Sequence, residues 1–235
     1  HDHCLIGFAF CFFRHYMANR FSGVHGYVNG VLGYVDFQDH DPNNQPLALR
    51  EDVFPYGEVT GASVTQFMQA AEAGYLLYQQ VAENILNSSA LIADTGLHFV
   101  AEPFSAKLDN WVLRSALALG VLAERNLIKG KLNSEVAFLR LGSAIFMFIP
   151  GEIFPDAYWE LLKNTGLDKT QVIPVGVSND LLGYILTPDA YLIDDQQYWK
   201  GLSVSSTILN TMIETVNNGV FKRQYINTFF SRNDN

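Results

Sequence analysis

The chain has 235 residues, 49% of them apolar and 17% charged, with a formal net charge of −9. That length accommodates one large domain or two small ones, the apolar share supplies a sizeable core, and the low charged share argues against a disordered chain. The acidic balance disfavours nonspecific nucleic-acid binding and general attraction to anionic membrane, although a local lipid groove remains compatible with it.

The chain begins with His rather than Met, so it reads as processed or partial. Leu5–Phe13 (LIGFAFCFF) is apolar but too short to span a bilayer, and Arg14-His15 ends it. No basic segment precedes it and no cleavage pattern follows, so it reads as a buried helix or strand rather than a signal core. Cys4 and Cys11, seven residues apart, would share one helix face without being close enough to bridge. Residues 21–62 are rich in Gly, Asp, Asn and Pro and read as a short strand, Tyr27–Val31, running into a long loop.

Residues 63–86 are the clearest helix: Val64, Phe67, Met68, Ala71, Tyr75, Tyr78 and Val81 recur at three- and four-residue steps, with Ser63 as expected N-cap. Residues 97–101 (LHFVA) read as a strand and 110–127 as a second helix. Glu135–Arg140 and Ala144–Ile149 form a hairpin about Leu141-Gly142-Ser143, and the second strand is apolar throughout, as a strand covered on both faces would be. After Pro150-Gly151-Glu152 come a helix at Asp156–Lys163, closed by Asn164-Thr165-Gly166, and a buried strand at Gln171–Val177. Thr187-Pro188-Asp189 opens a turn with Pro at a helix start, and Ser203–Val216 is a long helix. The pattern predicts an α/β fold of mixed α+β layers.

Two strands thus end in chemistry-bearing residues, Glu152 after the hairpin and Tyr184 after Ser178-Asn179-Asp180, where α/β proteins place their sites. Taken alone, each has a plain structural reading. Glu152 is then a turn acid near a helix N-terminus, Tyr184 a core tyrosine, and Tyr198 a packing residue beside Trp199.

The order of the pieces adds to this. LRLGS with IFMFIPGE, then VSNDLLGYILTPDAY, then QYWKGLS, over residues 133–207, resembles the neutral/alkaline (non-lysosomal) ceramidase family. Over 27–112, NGVLGYVDFQDHDPN is similar to the family's glycine-aspartate loop, with Gly33-Tyr34 at the Gly-Asp position. The resemblance implies a partial ceramidase-like catalytic domain over 1–235, with the family's C-terminal β-sandwich outside it. It implies a catalytic Zn2+ held by two histidines, a glutamate and a tyrosine. Glu152 matches the glutamate, and Tyr184, five residues after Asn179, matches the tyrosine. Tyr198 matches the residue that stabilises the developing oxyanion.

His1-Asp2-His3 is similar to the first histidine element, which carries His3 over as a ligand; the family's His-Pro element does not occur, and His40 is the substitute candidate. A missing N-terminal segment or a companion chain would then supply zinc histidines. The implied function is hydrolysis of an N-acyl sphingoid base, a ceramide-like lipid amide, by metal-activated water. The implied location is secreted, periplasmic or at a membrane surface, with no nucleic-acid partner. Two alternatives stand: a relative that cleaves a different amide or ester, and one that has lost the metal and serves as a structural or binding module.

Overall fold

The computed structural model describes residues 3–21, 28, 30–31, 62–87, 96–121, 127–128, 130–142, 144–193 and 197–224. The chain divides into two compact units, His1–Tyr27 with Asp36–Leu91, and Val28–Val35 with Ile92–Asn235.

In the first unit, α1 (His3–Arg20) packs along α2 (Ala62–Asn87). The apolar run at 5–13 is therefore helical, and the helix continues through Arg14-His15 because Phe13 and Met17, four residues apart, bury on one face. Cys11 lies on the exposed side. Tyr16 meets Tyr75 and Tyr78 at ring-centroid distances of 5.1 and 5.5 Å, so the tyrosines at i and i+3 of α2 form one contact stripe. The helix expected at 63–86 is matched closely, but Ser63 is its second residue rather than its cap. Among the described residues no helix is long and apolar enough to cross a membrane.

The second unit is a mixed sheet with helices against it. The strand order is β1 (Leu97–Lys107), β3 (Lys131–Leu141), β4 (Ala144–Phe148), β6 (Val172–Val175), with the short β2 (Leu127–Ile128) also paired to β3. The expected hairpin is β3–β4. Leu141 pairs with Ala144, and Gly142 at φ 58° supplies the left-handed residue that a two-residue turn requires. Ile145 and Met147 are fully buried while Ala144, Phe146 and Phe148 are half-buried, so β4 alternates instead of being covered equally on both faces. Strand β6 runs parallel to β4, which a tight turn cannot achieve; α4 (Pro155–Thr165) makes the crossover. Pro155 opens α4 and Gly166, at φ 67°, closes it. The strand expected at 171–177 is shorter, and Ile173 is exposed.

Two expected helices are also shortened, for identifiable reasons. Instead of 110–127, α3 covers Trp111–Ala118, because Gly120 takes up the left-handed conformation (φ 71°) just beyond its end. Instead of Ser203–Val216, α6 covers Ile208–Asn218. Ser205 and Thr207 commit their polar groups to local bonds, with the Thr207 N–H donating to Ser205 Oγ, and so hold the chain out of the helix. The described residues of the expected strand Tyr27–Val31, namely Val28, Gly30 and Val31, are not in a strand; the loop calls beyond them, His40 included, lie outside the described residues.

Ile208, Leu209, Met212 and Val216 of α6 and Leu161 of α4 close the core over Val136, Phe138, Ile145 and Met147. Helix α6 packs against β1 and α4. The architecture is α/β, with mixed helix and sheet layers, as the sequence pattern predicts.

Candidate active site

Beyond the main sheet a second, two-stranded parallel pairing forms from β5 (Glu152–Ile153) and β7 (Tyr184–Ile185). It sets Glu152 opposite Tyr184 and Ile153 opposite Ile185. The Glu152 N–H donates to the Gly183 carbonyl at 2.9 Å and the Phe154 N–H to the Ile185 carbonyl at 3.0 Å. The isoleucines are fully buried, so the pairing is anchored in the core and its register is fixed.

Glycine permits the close approach. A Cβ on Gly151 would sit 2.6 Å from the Gly183 carbonyl oxygen. One on Gly183, at φ 73°, would sit 1.8 Å from the Leu202 carbonyl oxygen. Gly183 also bridges to Ser203. The segments 150–152, 183–185 and 202–203 are thereby drawn together.

The loop between β6 and β7 stores strain. Val177 (φ 54°) and Asn179 (φ 68°) both lie in the left-handed region, which a β-branched valine rarely enters. Backbone bonds over-determine it: the Val177 N–H donates to the Gly151 carbonyl at 3.0 Å, and the Leu182 N–H to the Pro150 carbonyl at 2.9 Å. From β3, the Glu135 carboxylate accepts from Asn179 Nδ2 at 2.8 Å, and Ser134 Oγ donates to Asp180 at 2.6 Å.

Tyr198 enters from α5 (Gln197–Gly201). Its ring lies 6.3 Å from that of Tyr184, centroid to centroid. Trp199 stands edge-on to Tyr184 at 4.8 Å, and Phe154 closes the cluster at 6.0 Å from Tyr184 and 5.8 Å from Trp199. Tyr184 is buried, Glu152 half-buried and Tyr198 58% exposed, so the group opens to solvent on the Tyr198 side. Burial, then the Glu152 charge, then Tyr198 push the Tyr184 phenol up to about 12, which keeps it protonated near neutrality.

Glu152, Tyr184 and Tyr198, singled out in the sequence, thus come together. His3 lies in α1, in the other unit, and its side chain is outside the described residues, as are His1, His25 and His40. His98 is exposed on β1, opposite Arg140. Among the described residues no three of His, Cys, Asp and Glu gather as a metal-holding group. A carboxylate beside a phenol is ligand chemistry that zinc accepts, and a cation there would reverse the electrostatics that hold the Tyr184 proton. The pair offers two oxygen donors, fewer than the four ligands of a zinc site.

Sequence reasoning passed over two groups. Trp199 and Phe154 wall the tyrosines, and the Asp109-Asn110 dipeptide binds the segment after Tyr198. For Asn110 a signal existed: an Asn immediately before an apolar helical run marks an N-cap.

No protein-family model matches this sequence, and no curated protein does. Solved structures do match. One is neutral ceramidase from Pseudomonas aeruginosa, at 12% identity and a TM-score of 0.57, covering 93% of this chain and 40% of that one. Another, a ceramidase complexed with C2, matches at 10% identity and a TM-score of 0.44, over 65% of this chain and 34% of that one. The first of these likenesses gives the chain a ceramidase-like fold, and the chain spans less than half the length of either structure.

Proposed function

We propose that this chain forms part of a zinc-dependent amide hydrolase acting on an N-acyl sphingoid base or a similar lipid amide. The observation that carries the reading is the pairing of Glu152 with Tyr184, with the exposed Tyr198 beside it, on a ceramidase-like fold. Glu152 and Tyr184 would be metal ligands; a further segment or a companion chain would complete the set. When bound, zinc supplies Lewis acidity at the acyl carbonyl and makes water more acidic.

The chain's own residues do the rest. Tyr198 presents a hydroxyl on the open side, where it donates to the acyl oxygen as charge develops there, an effect worth roughly 3–4 kcal/mol for one well-placed donor. Trp199 and Phe154 pack on the Tyr184 ring and leave little of the residue exposed, and its hydroxyl feels the Glu152 charge and the Tyr198 hydroxyl. The ends of β5 and β7 are tied to the core, which fixes the carboxylate and phenol without loop motion. Such a substrate agrees with a secreted, periplasmic or membrane-surface setting.

The test is fatty-acid release from N-acylsphingosine, against other N-acyl amides, by zinc-supplemented chain with and without a candidate histidine-bearing segment. Selective release that falls about a hundred-fold in Tyr198→Phe is expected. Release favouring another amide moves the chain to a different substrate. No zinc uptake and no release from any amide leaves the binding-module reading in its place.

A further inference from the structure

Helix α5, which carries Tyr198, has five residues and buries none of them completely, so it cannot hold itself. Its last carbonyls have no intrahelical donors and must be satisfied from elsewhere. The Leu202 and Ser203 N–H groups reach the Trp199 and Lys200 carbonyls at 3.2 and 3.3 Å, and one side chain supplies the further donors. Asn110 Nδ2 faces the Lys200 carbonyl at 3.2 Å, the Gly201 carbonyl at 3.0 Å and the Ser203 carbonyl at 2.6 Å, so its two hydrogens serve three acceptors with one hydrogen shared. The other end of the same amide caps a different helix: Asn110 Oδ1 accepts from the Val112 N–H at 2.9 Å and the Leu113 N–H at 3.2 Å, the first turn of α3.

The amide can sit only one way round. Flipped, its oxygen would face three carbonyls and its NH2 would face two N–H groups. The neighbouring residue extends the grip, since the Asp109 carboxylate accepts from the Ser206 N–H at 3.2 Å, Ser206 Oγ at 3.1 Å and Ser205 Oγ at 3.2 Å. Leu202 and Ser203, between these anchors, are the residues whose backbone lies against Gly183 and so against Tyr184.

We propose that Asn110 is a positioning residue for Tyr198, a double cap that locks the end of α5 to the start of α3 and thereby fixes where the Tyr198 and Trp199 rings stand over Tyr184. The coupling concerns the segment's geometry; its catalytic consequence rests on the amide-hydrolase reading above. The requirement is chemical. An aspartate or serine caps α3 as well as asparagine does, yet neither can donate to the three carbonyls as the amide does, and the carboxylate would also repel them.

Amide hydrogen exchange on the full chain tests this. In Asn110→Asp and Asn110→Ser, the amides of Leu202 and Ser203, which donate to the Trp199 and Lys200 carbonyls, are expected to exchange at least about ten-fold faster. Arg114, which donates to the residue 110 carbonyl that both variants retain, and Leu119, which donates to the Ser115 carbonyl, are expected to keep their protection. Unchanged exchange at Leu202 and Ser203 overturns the proposal, as does equal loss in α3 and α5, which would show that the two caps are not separable. Where the chain hydrolyses an N-acyl amide, both variants are expected to lower kcat about ten-fold with KM within two-fold. A loss confined to KM overturns the catalytic consequence while the exchange result still stands on its own. An inactive parent with the expected exchange pattern counts against the hydrolase reading alone.

Discussion

Glu152 and Tyr184 stand directly opposite one another in a parallel two-strand pairing, and the carboxylate's charge helps to hold the phenol protonated. They are 32 positions apart in sequence. What joins them is the β4–α4–β6 crossover, which returns the chain parallel to itself, and the strained loop that follows it. A carboxylate and a neutral phenol, one half-buried and one buried, form a site that an incoming cation would stabilise.

The pairing depends on Gly183. In Gly183→Ala a methyl would meet the Leu202 carbonyl oxygen at 1.8 Å, and the backbone is already at φ 73°. The variant is expected to lose at least about 3 kcal/mol in denaturant unfolding. Gly130→Ala, also at positive φ (74°) but with open space around it, is expected to lose only about 1–2 kcal/mol. Equal losses at the two positions would show that backbone strain alone, not the close approach to Leu202, sets the requirement.

Alkaline stability has a predicted window. Burial pushes the Tyr158 phenol up to about 12 from its reference of 10.0, and burial also raises Tyr191. Between those values the folded chain keeps a proton that the unfolded chain releases. The contribution is therefore complete below pH 10 and is lost as pH rises toward 12. Unfolding midpoints are expected to fall over that window, less steeply in Tyr158→Phe. That variant also loses the bond to the Val172 carbonyl, 3.0 Å long, at a cost of about 1 kcal/mol at neutral pH. A slope unchanged by the substitution would assign the window to other groups.

Glu102 is buried on β1, and its carboxylate accepts from the Phe221 N–H at 2.7 Å. Phe221 in turn stacks on Phe138 at 3.9 Å. Glu102→Ala removes the acceptor and is expected to cost about 1–3 kcal/mol, whereas Glu102→Gln keeps an amide oxygen there and is expected to cost less. Chemical unfolding of the two variants measures the difference; equal costs would point to the lost charge instead of the lost acceptor.

The elements that were legible in the sequence share one property: their signals are local. The Gly142 turn, Pro155 and Gly166 at the ends of α4, and the tyrosine stripe of α2 each follow from residues close in the chain. Helix ends at Gly120 and Thr207 were less legible, because a periodic apolar pattern continues past the point where a left-handed glycine or a bonded hydroxyl stops the helix. The order of short motifs singles out Glu152, Tyr184 and Tyr198, and the fold brings the three together. The cap that Asn110 places on α3 has a local signal, whereas its hold on α5 has none, since those partners lie about ninety residues away and are backbone carbonyls.

The most direct measurement is zinc binding by calorimetric titration of the chain, supplemented with a histidine-bearing segment where one is identified, compared with Glu152→Gln and Tyr184→Phe. The account predicts one zinc per chain, with affinity reduced at least about ten-fold in each variant and with folding retained. Zinc binding that is equally tight in both variants, or no zinc binding under any of these conditions, would contradict the assignment of Glu152 and Tyr184 as metal ligands.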